Sequence, residues 1–118
     1  MKKSHLAATM VLACTLTAAA PASAKDQVVS GIGAMSCTRF AELRVANDRA
    51  VIIALKSWLQ GLLSGMNMQL LLNRAEAKAL PDADQIADFV DKHCSENPSS
   101  NPLMAAVALH EGLRNAQD

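Results

Sequence analysis

The chain contains no tyrosine, one tryptophan and two phenylalanines in 118 residues. That leaves few flat side chains for a base-stacking or sugar-binding platform. An excess of either charge is also missing, with 11 basic and 11 acidic residues and a net charge of zero when the histidines are neutral. No cluster of Lys and Arg marks a nucleic-acid footprint. H-E-x-x-H, G-x-S-x-G and the phosphate-binding loop are absent, and Gly31-x-Gly33 is too short for a nucleotide fingerprint. No residue set supplies nucleophile, base and orienting group together. The reading is a protein that is not an enzyme and takes no cofactor.

Cysteine is scarce, at three, and the N-terminus decides how many count. Lys2 and Lys3 open the chain, Leu6 to Ala20 form an apolar stretch, and Ala22-Ser23-Ala24 supplies small residues for cleavage after Ala24. This is the pattern of a secretory signal peptide over residues 1–24. Val11-Leu12-Ala13-Cys14 offers a competing lipoprotein box, but Leu12 fits it poorly and the apolar run ahead of Cys14 is short. Cleavage leaves 94 residues, Lys25 to Asp118, enough for one small domain. Nine basic residues then face eleven acidic ones. The basic ones concentrate before residue 75 and the acidic ones after it, a polarity suited to docking or self-association.

Residues 25–35 have two glycines and no helical period, and read as an extended or mobile lead-in. Ser36 caps a short helix of about Cys37 to Val45, and Asn47 and Asp48 offer the next cap. Ile52, Leu55, Leu59, Leu62, Leu63, Met66 and Leu70 recur at three- and four-residue spacing, which predicts an amphipathic helix of roughly Arg49 to Leu71. Lys56, Gln60, Asn67 and Gln69 argue against a membrane span. Asp82 with Gln85 forms a capping box for a third helix, whose inner face is read as Ile86, Phe89, Val90 and Cys94. Asn101 caps a fourth, with Pro102 at its first position and Leu103, Ala106, Val107, His110 and Leu113 inward. The fold class is all-α: a small bundle of about four helices over residues 36–118, with one disulfide, behind a cleavable signal peptide.

An exported chain enters an oxidising compartment, where the two remaining cysteines, Cys37 and Cys94, are expected to pair. Two alternatives stand beside this: a Cys94 thiolate activated by His93, and a zinc site drawn from Cys37, Cys94, His93 and His110. The first lacks an orienting group, and the second matches no usual ligand spacing. No metal is therefore expected.

Within "SWLQGLLSGMN", Ser57, Gly61 and Gly65 recur every four residues beside Trp58. Glycine inside a helix costs about 1 kcal/mol relative to alanine, so two of them call for a reason. One is close internal packing of a neighbouring helix. The other is a partner or dimer contact that uses Ser57, Trp58, Gly61, Gly65 and Asn67.

The segments "MSCTRFAEL", "SWLQGLLSGMN" and "IADFVDKHCSENPSSNPLMAAVALHEGL" together resemble the HdeA/HdeB family of small periplasmic proteins. Met35, Ser36, Cys37 and Phe40 match its M-[ST]-C-x-x-F opening, and Cys94, Asn97 and Pro98 match its second cysteine with the Asn-Pro that follows. The resemblance implies a helical fold, a Cys37–Cys94 disulfide, a periplasmic location and acid-stress holdase activity. It implies unfolded periplasmic proteins as partners, and homodimers at neutral pH. The Trp58–Asn67 segment departs from the typical acid chaperones, whose corresponding helix is less glycine-rich. A glycine-containing helix near an aromatic, with a C-terminal "NP…AA…L" helix, is similar instead to the Tai/Rap-type immunity proteins. That similarity implies a dedicated protein partner, a secreted toxin enzyme.

Overall fold

Four side-chain caps divide the described residues, 29–118 of the computed structural model, into four helices. The signal-peptide reading of residues 1–24, the lipoprotein alternative at Cys14 and the first residues of the lead-in lie outside the described residues. Ser36 accepts the Arg39 amide and opens α1, Cys37–Ala46. Asn47 ends α1 in the left-handed region at φ 53°, a conformation that asparagine tolerates. Asp48 then takes the Ala50 and Val51 amides and opens α2, Arg49–Leu72. Asp82 and Gln85 form the expected reciprocal box at the head of α3, Ala83–Glu96. Asn101 accepts the Met104 amide ahead of α4, Pro102–Gly112. No strand longer than a single bridge occurs among the described residues.

The core follows the periodicity of α2. Leu55, Leu59 and Leu63 lie four residues apart on one face and are buried, packed in one cluster with Phe40 of α1, Ile86 and Val90 of α3, and Ala105 and Ala106 of α4. The two alanines are fully buried, and their small size lets α4 sit close. α3 touches all three other helices. Its inner face differs in one place from expectation: Phe89 is 36 % exposed, and Ala87 is buried instead. Ile86, Ala87, Val90 and Cys94 span an arc of about 100°, and Phe89 falls about 60° outside it at the helical pitch. On α4, Ala105 joins the expected Ala106 and His110 as buried residues.

Cys37 and Cys94 are bonded, with their Cα atoms 5.0 Å apart and a sequence separation of 57. The bond fastens the start of α1 to the last turns of α3. The Cys37 amide also donates to the Ser100 carbonyl at 2.9 Å, so the α3–α4 loop takes part in the joint. Two ion pairs radiate from α3. Arg44 of α1 grips Asp91 in bidentate fashion, at 2.9 and 2.5 Å, and Lys56 of α2 pairs with Asp84. The hydrogen bond from Arg44 to Asp91 raises the guanidinium pKa further, and that from Lys56 holds the Asp84 carboxyl below its ordinary value.

Closing a loop of this length stabilises the fold by about 4 kcal/mol in the chain-entropy account. Replacing both cysteines with serine is therefore expected to lower unfolding free energy by about that amount, a large share of the total for a domain this small. Urea unfolding followed by circular dichroism checks the loss. Alkylation of the native protein without reductant should label neither Cys37 nor Cys94.

Candidate functional site

The residues that the sequence grouped on one face of α2 separate into three environments. Trp58 is turned inward and covered from within the chain. In the lead-in, read as extended or mobile, Ile32–Ala34 instead form a 3-10 turn that seats Gly31 and Gly33 against the indole. A Cβ at either glycine would overlap the ring, and Gly31 has φ +110°, a value that side chains oppose. The indole Nε1–H donates to the Ser30 carbonyl at 3.1 Å. The tight contact expected of a neighbouring helix at Gly61 and Gly65 is found instead at Gly31 and Gly33, and against the Trp58 ring.

Gly61 and Gly65 have no such reason. A Cβ built on either meets nothing within 4 Å, so internal packing of a neighbouring helix does not account for them. With Ser57 they lie exposed on the outer face of α2. Their surroundings are uncharged: no Asp, Glu, Lys, Arg or His occurs from Ser57 to Asn73. Ile53, Met68, Leu71 and Leu72 are exposed on the same helix, Leu72 at 74 %. A shallow hollow of about 440 Å³ opens where Val29 and Ser30 meet Ser57, Trp58, Gly61 and Leu62. The outer face is thus an uncharged strip in which the exposed Ser57, Gln60, Ser64 and Gln69 are interspersed with glycines and apolar side chains. Among the described residues, no helix is long and apolar enough to cross a membrane.

Asn67 points to neither a partner nor a helix backbone. Its side-chain amide reads the backbone of Lys78 like an added strand, donating to the Lys78 carbonyl and accepting its amide, both at 2.9 Å. On the opposite edge of the same short segment, the Ala79 amide donates to the Arg114 carbonyl at 3.0 Å and the Ala116 amide to the Ala77 carbonyl at 2.8 Å. The Lys78 segment is therefore held between α2 and the C-terminal tail. His110 completes the joint, with Nε2 3.0 Å from the Asn67 Oδ1. An amide oxygen only accepts, so Nε2 carries the hydrogen and the neutral ring has a free lone pair on Nδ1. Burial pushes the His110 pKa below its ordinary 6.5, Lys78 adds to the fall, and Glu111 opposes it. Sequence reasoning took His110 as a core histidine and gave Lys78 and Asn115 no role.

The cysteine chemistry is settled by the bond. Neither sulfur is a thiolate, and His93 hydrogen-bonds Ser100 instead, at 3.1 Å. Beside the disulfide an open groove of about 650 Å³ runs past Thr38, Ala41, Val45 and Pro98. Among the described residues no group of three or more His, Cys, Asp or Glu side chains is arranged to hold a metal. No protein-family model, curated protein or solved structure matches the chain.

Two contrasts test these environments. Gly61→Ala and Gly65→Ala are each expected to raise stability by about 1 kcal/mol, because the methyl enters open space on a helix. Gly33→Ala is expected to unseat the turn and shift the fluorescence of the single tryptophan to longer wavelength. Separately, Asn67→Ala strands two backbone groups of Lys78 and the ring Nε2–H of His110, and should cost about 2–4 kcal/mol, read by thermal unfolding.

Proposed function

We propose that this chain is a small exported holdase of the periplasm, a disulfide-stapled helical domain that binds other polypeptides through the outer face of α2. The observation that carries the reading is the uncharged strip itself: Ile53, Met68, Leu71 and Leu72 lie exposed beside Ser57, Gly61 and Gly65, with no charged residue from Ser57 to Asn73. Glycines in open space on a helix cost stability and return none internally. An uncharged surface set with apolar side chains, able to admit varied chains, gives them a purpose. The likeness to the HdeA/HdeB pattern in the sequence points the same way.

Acid strengthens the reading through α3. Asp84 and Asp91 tie this helix to α2 and α1. The folded-state pKa of Asp84 lies below the ordinary 3.8. Its contribution is therefore present above that value and is lost as pH falls through the depressed one. Strong acid also leaves the chain with net positive charge, which loosens a compact state. The disulfide survives and keeps α1 on α3, so loosening exposes core surface without freeing the chain.

A second reading is favoured by one feature, the exposure of the strip in the folded chain without any rearrangement. A ready-made surface suits a dedicated binding protein, such as an inhibitor of a secreted toxin enzyme.

Light scattering of an aggregating client below pH ~3 tests the first reading. The wild type at stoichiometric excess should suppress aggregation, and the Met68→Asp/Leu72→Asp variant should lose most of that effect with its helical spectrum intact. No suppression by the wild type would remove the holdase reading. A single tight complex at neutral pH, abolished by Gly61→Leu with the fold retained, would install the second.

A further inference from the structure

Two stretches of chain distant in sequence meet at the Asn67 side chain, the 75–81 loop and the end of α4, and the tail that follows α4 bonds the loop along its other edge. We propose that this joint is a proton-operated latch, in which neutral His110 holds the loop and tail against α2 and a proton on its Nδ1 releases them. The geometry sets the logic. Asn67 Oδ1 accepts from both the Lys78 amide and His110 Nε2. Nε2 already carries its hydrogen, so an added proton has only Nδ1 to occupy. The ring that becomes a cation is 5 % exposed.

Among the described residues, no surrounding element supplies a counter-charge in contact with it. α2 has no charged residue between Lys56 and Arg74. The loop brings Glu76, which is exposed, and Lys78, which opposes the new charge and whose Nζ is bonded to Asn115 Oδ1 at 3.1 Å. The tail brings Arg114 and Asp118, both exposed. On α3, Asp84 and Asp91 are committed to Lys56 and Arg44. Asp88, Lys92 and Glu96 of α3 are exposed, and its His93 is bonded to Ser100. Glu111, next in α4, is the one acid that favours the cation, and it too is exposed.

A buried, unpaired cation is costly, and the ring escapes that cost by turning to water. α4 then loses its tie to Asn67. The tail then parts from the loop, to which the Ala79–Arg114 and Ala116–Ala77 backbone bonds and the Lys78–Asn115 contact join it. Release uncovers Met66 and Leu80, now packed against the core, on the inner side of α2. The imidazole ionises less readily folded than unfolded, so the latch is at full strength above pH 6.5. It weakens as pH falls below that value toward the depressed folded one.

Amide hydrogen exchange of the oxidised protein, corrected for intrinsic rates, tests the latch at about pH 7.5 and about pH 5. The Ala79 and Ala116 amides should exchange about tenfold faster at the lower pH, while Leu59 and Leu63 keep their protection. His110→Gln, which keeps a donor but takes no proton, should show no such change. Lys78→Gln removes the opposing charge and should raise both the His110 midpoint seen by NMR and the pH at which Ala79 and Ala116 loosen. Titration of the His110 ring with those two amides unmoved would overturn the proposal, as would acceleration that survives in His110→Gln or a midpoint unchanged in Lys78→Gln. No client enters the measurement, so failure of the holdase reading leaves the latch standing, and failure of the latch leaves the α2 face.

Discussion

The covalent bond between Cys37 and Cys94 is the constraint on which the rest depends. α1 has little else to hold it: Cys37 and Phe40 are its buried residues. Burying a phenylalanine stabilises by about 2–3 kcal/mol, and a partly exposed pair such as Arg44–Asp91 adds only a modest amount after solvent screening. A ten-residue helix is marginal on those terms alone. The bond tethers the start of α1 to α3 and so reduces the entropy that α1 would gain by leaving. It thereby makes α3 the hub of the molecule, tied to α1 by sulfur and to α2 by apolar packing and an ion pair.

With α3 at the centre, α2 has two different jobs. Its inner leucines fill the core, while its outer face carries no charge from Ser57 to Asn73 and, among the described residues, meets nothing at Gly61 or Gly65. The single tryptophan is claimed by the core side, capped by a glycine-lined turn. What remains outside is uncharged, a mix of glycine, Ser, Gln and exposed apolar side chains. A surface of that kind has few ways to select one partner by charge, which suits a binder of varied chains better than a reader of one sequence.

The sequence revealed architecture well because caps and periodicity are local. Ser36, Asp48, Asp82 with Gln85, and Asn101 each announce a helix start through a side chain that reaches two or three residues onward. The disulfide was legible from the parity of the cysteines once residues 1–24 were set aside as a signal. Contacts between segments far apart were not legible. Nothing near Gly31 says that its neighbour is Trp58, and nothing near Lys78 says that Asn67 will bond its backbone. Phe89 was misplaced for a related reason: the centre of the α3 apolar arc depends on where α2 and α4 approach. The glycines show the limit most plainly, since the same residue type marks tight contact at Gly33 and open space at Gly61.

The central functional claim is that other polypeptides dock on the outer face of α2. Hydroxyl-radical footprinting of the oxidised protein, alone and with a saturating unfolded model client, reads that face directly. The account predicts that Met68, Leu71 and Leu72 react freely in the protein alone and become protected in the complex, while Val45 and Met104 stay reactive. Protection of Val45 or Met104 with Met68, Leu71 and Leu72 still reactive would contradict it.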